Sequence, residues 1–436
     1  MNLIKSAVGL MCLLEIGGLI SITCQAADGP TRNLVAASTT DKTVDVSEQL
    51  NALRRQVNDA DAAYGAYTKA AEGDQKEKLW EAYVQANDPV IPKILEAVRQ
   101  NPSSPAAFEL LEWIVTNERI STRSLRPYGP QAVEFLREYH SAHPNIGRIC
   151  RVLGFDGDPL HQPTIEFLQI ASAKNPDRAA RGCATFALAH LTKRKAEDLA
   201  FWKIVPASIY TNAAAQKAKA EYQAAARAGD SEAVFHRAEE LLQTVIDEYG
   251  DCPNFPSGPG LRQPKSTLGE QAGVDLDECR HLSLGKVAPE IEAKDLQGRT
   301  LRLSDYRGKV VVLSFWASWC GPCMQMVPHE RAMSKRLEGK SFALVGVNGD
   351  ETNAAADRAV AKEGMTWQSF WNGGGAEGPI STAWNVHGWP TVYVLDPKGV
   401  IRLKLKGYGG KNSDSLLDEI VDQLLKDIVG EPGTKT

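Results

Sequence analysis

The chain is 436 residues long, too long for one ordinary hydrophobic core and of a length that suggests two to three domains. Its 49 basic and 54 acidic residues leave a formal net charge of −5 with no long basic run, so nothing favours nucleic acid as a partner. At 43% hydrophobic and 24% charged, the composition is that of a soluble globular protein.

The first residues place Lys5 before an apolar stretch that ends at the small-residue site Cys24-Gln25-Ala26, the pattern of an export signal over residues 1–26 cleaved after Ala26. Glu15 and Gly17-Gly18 interrupt the stretch and make it a poor membrane span, because a charge at the centre of a helix in lipid costs about 2.5 to 3.5 kcal/mol. An uncleaved anchor and lipid attachment at Cys24 stay open, the second weakened by Thr23. Export fixes the redox setting: beyond the membrane, a thiol pair either stays oxidised or is kept reduced by a partner.

Residues 27–45 are rich in Thr, Ser and Asp and read as a flexible tether. Apolar residues then recur from Leu50 to Tyr67 in steps of three and four, a helical stripe that opens a helical domain over 46–250. Within it one pattern returns, an apolar helix, a polar break ending in X-Pro and another apolar helix. Pro102, Pro144 and Pro176 mark the breaks, 42 and then 32 residues apart, spacing expected of stacked helical hairpins of tetratricopeptide or HEAT size. At "NPD", Asn175 is expected to cap, Pro176 to fill the first helical position and Asp177 to meet the positive end of the helix dipole. Such a stack offers a surface to a partner, or serves as a spacer or dimer scaffold.

Residues 251–284, dense in Pro, Gly and Ser, read as a linker. Six cysteines lie beyond the signal. Cys150 and Cys183, in apolar helical contexts, read as buried inert thiols, and Cys252 and Cys279 flank the linker at positions that allow a bridge. The four cysteines outside the motif below permit three full pairings.

From 285 the periodicity changes. "EIEAKDLQGRTLRL" alternates around Gln297-Gly298 and predicts a hairpin, and "KVVVLSFW" is a short apolar run of the kind buried in a sheet centre. A helix is predicted from Cys320 to about Leu337, followed by strand "FALVGVN", helix "NAAADRAVAKEG", strands "TVYVLD" and "VIRLKLKG" joined by a turn, and a closing amphipathic helix. Strands alternating with helices imply an α/β domain over 285–430, with a short tail over 431–436.

The chemistry lies in "WASWCGPCMQMVPHE". Cys320 follows a buried strand and begins a helix, where free amide donors and partial positive charge favour a thiolate, so Cys320 is the expected nucleophile. One turn on, Cys323 is the expected resolving thiol of a Cys320–Cys323 redox disulfide. A structural zinc site needs two further ligands, and His329 alone does not complete four; covalent haem attachment needs His where Met324 stands. A purely structural bridge across so short a loop stabilises little. No cofactor and no metal are expected.

"FWASWCGPC" followed five residues later by Pro328, within "VAPEIEAKDLQGRTLRLSDYRGKVVVLSFWASWCGPC", resembles the thioredoxin superfamily, and within it the exported TlpA/ResA-like redoxins, over residues 284–430. The resemblance implies a thioredoxin fold, a central mixed sheet flanked by helices, behind an all-α helical-hairpin region that it leaves unassigned. It also implies that Pro390 in "GWPT" is a cis-proline opposite the cysteines, with the backbone of Trp389 pairing to a client peptide. Trp319, Gly321, Pro322 and Thr391 join Trp389 and Pro390 as the expected substrate site. The implied activity is thiol-disulfide exchange outside the cytoplasm, and the Gly-Pro pair resembles reducing members, thioredoxin itself lying near about −270 mV. Disulfide-bearing client proteins, with apocytochromes c as candidates, are the implied substrates and a membrane thiol transporter the implied electron donor. A membrane tether follows if the signal is not cleaved.

Two departures bear on proton handling. Thioredoxin's buried Asp is replaced by Ser314, and the Glu usual in the tethered branch is replaced by Met326. Slow resolution of mixed disulfides is therefore expected, with Glu290, Glu292, Lys294 and His329 as candidate proton acceptors. Two other functions compete: a redoxin-type thiol peroxidase, against which Ala317 stands in the place of the usual Thr or Ser, and a helical-repeat binding protein with a regulatory redox domain.

Overall fold

The computed structural model describes residues 90–117, 128–205, 213–254 and 266–430, with a few isolated positions between 48 and 81. The expected export signal, tether and tail, and most of the Leu50–Tyr67 stripe, lie outside the described residues. The chain divides into two compact units, one holding residues 193–239 and 273 onward, the other ending at Thr192 and resuming over Glu240–Ala272.

Helices α1 (Val90–Gln100), α2 (Pro105–Asn117), α3 (Gly129–Phe135), α4 (Gly147–Asp156), α5 (Gln162–Lys174) and α6 (Arg178–Ile204) follow one another, α3 running into a π-helical turn at Leu136–His140. The breaks at Pro102, Pro144 and Pro176 fall between helices, as the X-Pro spacing predicts. Each helix buries an apolar stripe: α1 turns Ile91, Ile94, Leu95 and Val98 inward, all at most 2% exposed. Helices α4 and α6 pack closely enough that a Cβ on Gly154 would sit 2.7 Å from Ala187 Cα. At "NPD" Asn175 Oδ1 accepts the backbone N–H of Asp177 at 2.9 Å, as expected of a capping Asn, and a second cap follows two residues later. Asp177 Oδ1 accepts from Ala180 N at 2.7 Å and caps α6, while the Asn175 amide donates to the carbonyls of Ser141 and His143 and holds two successive breaks together. Cys150 and Cys183 are buried and free; burial pushes the Cys183 thiol up to about 12, as befits an inert core cysteine.

Helices α7 (Ala213–Ala228) and α8 (Ser231–Tyr249) complete the long helical run. The linker expected over 251–284 is only partly one, because residues 268–281 form a further helix, α9 (Leu268–His281). The dense Pro and Gly end at Pro264, and the buried Leu268, Ala272, Leu276 and Cys279 that follow recur in helical steps. Cys252 and Cys279 are both free thiols.

The remainder is built on β1 (Glu292–Lys294), β2 (Thr300–Arg302), β3 (Val310–Trp316), β4 (Phe342–Asn348), β5 (Ser369–Trp371), β6 (Thr391–Leu395) and β7 (Ile401–Lys406). Among them run α10 (Gly321–Arg336), α11 (Asn353–Glu363), α12 (Pro379–Ala383) and α13 (Lys411–Gly430). The hairpin β1–β2 turns at Gln297-Gly298, Gly298 taking the positive φ of 79° that such a turn demands. The main sheet has the order β5-β4-β3-β6-β7, with β3, β4 and β5 parallel and β6 and β7 antiparallel to their neighbours. This mixed sheet between helices is the thioredoxin fold expected for residues 285–430.

Every residue of the central strand β3 is buried. Alternation along it separates two cores. Val311, Leu313 and Phe315 face a core with Trp384, Tyr393 and Leu395. Trp316 faces the other, with Ala317, Cys320, Cys323 and Val327, so Ser314, two residues before Trp316, points to the same side as α10. Among the described residues no helix is long and apolar enough to cross a membrane.

Candidate functional site

Strand β3 ends at the buried Trp316 and α10 begins at Gly321, so the cysteines sit at the junction. Cys320 is the N-cap of α10, with φ −85° and ψ 98°, and its sulfur accepts the backbone N–H of Cys323 at 3.1 Å. Cys320 and Cys323 form a disulfide and are 3% and 1% exposed. Pro322 occupies the first turn of the helix, where no amide donor is lost, and a Cβ at Gly321 would meet nothing within 4 Å, so this turn is open to a partner backbone.

The residues expected to bind substrate converge on that turn. Trp319 is 56% exposed, and its ring meets that of Trp389 at 6.0 Å in an edge-to-face arrangement. The Trp389–Pro390 peptide is cis. Among the described residues the backbone N–H and C=O of Trp389 carry no hydrogen bond, whereas Pro390 O is taken by Gly407 N at 2.8 Å. Thr391, buried, opens β6 and donates its hydroxyl to Gly388 O at 2.7 Å, fixing the loop that presents Trp389.

Three residues at the end of β4 belong to the same neighbourhood and have no place in the sequence-based expectation. Asp350, 1% exposed, accepts the backbone N–H and hydroxyl of Ser318 and the side-chain amide of Asn348, which ties the "WAS" segment to β4. Between them Gly349 packs under Trp389 so closely that a Cβ would lie 2.4 Å from the indole. The signal is "VNGD", small and polar residues directly after a buried strand.

Of the four expected proton acceptors, three are committed elsewhere. Glu290 accepts from the amides of Ile291 and Ser304, Glu292 pairs with Arg302, and Lys294 donates to Thr300 on the hairpin. His329 lies on α10 facing Asp414 and Asp418 of α13, at 4.0 and 3.7 Å. The buried carboxylate of this layer is a residue the sequence reading passed over. Glu330, 2% exposed, shares the inward stripe of α10 with Cys323, Met326, Val327 and Met333. Burial, opposed by the nearby Ser314 hydroxyl and assisted by Asp414, pushes its carboxyl up to about 7. Ser314 approaches Glu330 without the geometry of a hydrogen bond, and Ser314 Oγ and Glu330 Oε1 are both without a hydrogen-bond partner among the described residues. The signal was the spacing: seven residues after Cys323, an α-helix returns to the same face.

Residues 284–404 match the model of the AhpC/TSA family. The thioredoxin-like protein YneN of Bacillus subtilis (strain 168) is 37% identical over 121 residues, 27% of this chain and 68% of that protein. The chain belongs to this thioredoxin-like redoxin family. The thiol-disulfide oxidoreductase ResA of Bacillus thuringiensis subsp. konkukian (strain 97-27) is 29% identical over 126 residues, 29% of this chain and 71% of that protein. A crystal structure described as a thiol:disulfide interchange protein DsbE, from Chlorobium tepidum, is 31% identical and covers 33% of this chain and 99% of its own, at a TM-score of 0.30. This redoxin is accordingly a thiol-disulfide oxidoreductase of the ResA type, and its N-terminal helical part lies outside the residues that the family model matches.

Proposed function

We propose that this redoxin is an extracytoplasmic disulfide reductase of client proteins, with Cys320 as nucleophile and Cys323 as resolving thiol. The observation that carries the assignment of roles is the amide hydrogen bond from Cys323 N to Cys320 Sγ at the helix N-terminus. A donor and a positive dipole end both stabilise a negative sulfur, so Cys320 ionises more readily than an ordinary cysteine. In the dithiol form the Cys320 thiolate attacks one sulfur of a client disulfide. The client S–S bond breaks, a mixed disulfide forms and the first client thiolate leaves. Cys323 then attacks Cys320 Sγ, the second client thiolate leaves, and two electrons have passed from the dithiol to the client.

The client strand lies against Trp389 and cis-Pro390, where the unpaired backbone of Trp389 supplies hydrogen bonds in the manner of an added strand, and Trp319, Gly321, Pro322 and Thr391 border it. A membrane thiol carrier returns the protein to the dithiol form, and apocytochromes c are the client class to try first. Ala317 offers no hydroxyl to a peroxide beside the cysteines, which weighs against the peroxidase reading. The test is insulin reduction in the presence of a thiol reductant: the native protein turns over, Cys320→Ser does not, and Cys323→Ser accumulates the mixed disulfide. Peroxide consumption in place of insulin reduction contradicts the proposal.

A further inference from the structure

We propose that Glu330 is the proton acceptor for Cys323, receiving the thiol proton when Cys323 attacks the mixed disulfide at Cys320; this rests on the exchange function just described. The attack needs a thiolate, and Cys323 lies one turn inside the helix, 1% exposed, away from bulk water. A base for it must therefore be buried in the same layer. Position 314 on the strand carries a hydroxyl and position 326 on the helix a thioether. One helical turn beyond Met326, on the same inward stripe, stands Glu330.

Distance and direction suit a relay. Seven residues advance about 10 Å along an α-helix, so Glu330 stands two turns beyond Cys323 on the same inward stripe, a separation that calls for a relay. Ser314, fully buried on the facing strand, supplies the hydroxyl beside Glu330 and is able to accept one proton and donate another. Ser314 Oγ and Glu330 Oε1 are both buried and without a well-formed hydrogen bond among the described residues, yet close enough for the hydroxyl to act on the carboxyl, which leaves each oxygen available to the other for a proton.

The groups around Glu330 offer the proton a way out. On its own helix stands His329; from α13 come Asp414 and Asp418; from the turn before α13 comes Tyr408, whose hydroxyl donates to Asp414 at 3.1 Å. Asp414, Asp418 and His329 are all partly exposed. Burial, with a smaller contribution from Asp414, raises the carboxyl of Glu330, and a carboxyl pushed up to about 7 is matched to picking up and releasing a proton near neutral pH.

The Cys323 S–H proton passes to Glu330, the Cys323–Cys320 S–S bond forms, the bond from Cys320 to its partner sulfur breaks, and the partner leaves as a thiolate with the electron pair.

The experiment mixes the reduced full-length protein with one equivalent of a chromogenic aryl disulfide and follows release of the coloured thiolate. The first release reports attack by Cys320 and the second reports resolution by Cys323. In the native protein the second rate is expected to rise with pH through an inflection near 7. In Glu330→Gln that inflection disappears and the second rate falls at least about tenfold at pH 7.5, the first being unchanged. Glu330→Leu, which fits the apolar layer without a polar group, must show the same loss while melting as a folded protein. A second phase in Glu330→Gln or Glu330→Leu with the native rate and native pH profile overturns the proposal. Absence of the first phase in the native protein overturns the exchange function itself.

Discussion

Glu330 is costly to the fold in its charged form, which gives its pKa a consequence independent of catalysis. Its carboxyl ionises at about 7 when folded and near the usual carboxylate value when unfolded. Below about pH 4.5 both states hold the proton and there is no penalty; between about 4.5 and 7 only the unfolded chain releases it, so stability falls as pH rises; above that the whole penalty is present. The oxidised native protein should lose about 3 kcal/mol of stability between pH 4.5 and pH 8 from this group alone. Glu330→Gln should lack this loss and be the more stable protein at pH 8, as urea titration at the two pH values would measure. Gly349 is a second residue with a sharp expectation: Gly349→Ala forces a methyl into the Trp389 indole, so the Trp389 loop shifts, the fold loses about 1 to 3 kcal/mol and insulin reduction slows.

Among the elements, the junction of β3 and α10 was legible in the sequence because its signals are strong and local: an unbroken apolar run, a Cys–Gly–Pro–Cys turn and a helix behind it. The hairpin β1–β2 was legible through Gln297-Gly298. Strand β5 and helix α12, three and five residues long, are too short for periodicity to declare and are placed by their neighbours. Glu330 escaped because a carboxylate on a helix ordinarily faces water, and its burial depends on a strand sixteen residues earlier. The cluster around Glu278 escaped for the same reason on a longer scale. Glu278 of α9 receives Lys193 of α6, 85 residues away, together with Lys404 of β7 and the side-chain amide of Asn385. Burial opposes its ionisation, but Lys193, Lys404 and Lys406 outweigh burial and hold the carboxyl well below the ordinary range. Its stabilisation is complete above the ordinary carboxylate pKa and is lost as pH falls through the depressed folded value. Glu278→Ala leaves the buried Lys193 with Asp275 alone at 3.4 Å and removes the carboxylate partner of the half-buried Lys404, and should destabilise the protein by about 3 kcal/mol, read as a lowered midpoint of urea unfolding at neutral pH.

For the whole molecule, that cluster changes what the redox domain is. Residues 193–239 fall into the same compact unit as the thioredoxin fold, so the boundary read from Pro and Gly density does not coincide with the packing. The helical N-terminal part was legible as helix and X-Pro breaks, whereas its role was not, because a stack of hairpins carries no chemistry-bearing motif. A fragment beginning at residue 284 keeps Cys320, Cys323 and Glu330 but loses both Lys193 and Glu278. It should show the native second phase of thiolate release while melting at a lower temperature than the full chain.

The central claim, that this redoxin passes electrons from Cys320 and Cys323 to client disulfides, is tested most directly by equilibrating the full-length protein with glutathione buffers and reading the reduction potential of that pair. A potential near about −270 mV is predicted for a reductase with a Gly-Pro turn, and one near about −120 mV, the value of a strong oxidant, would contradict it.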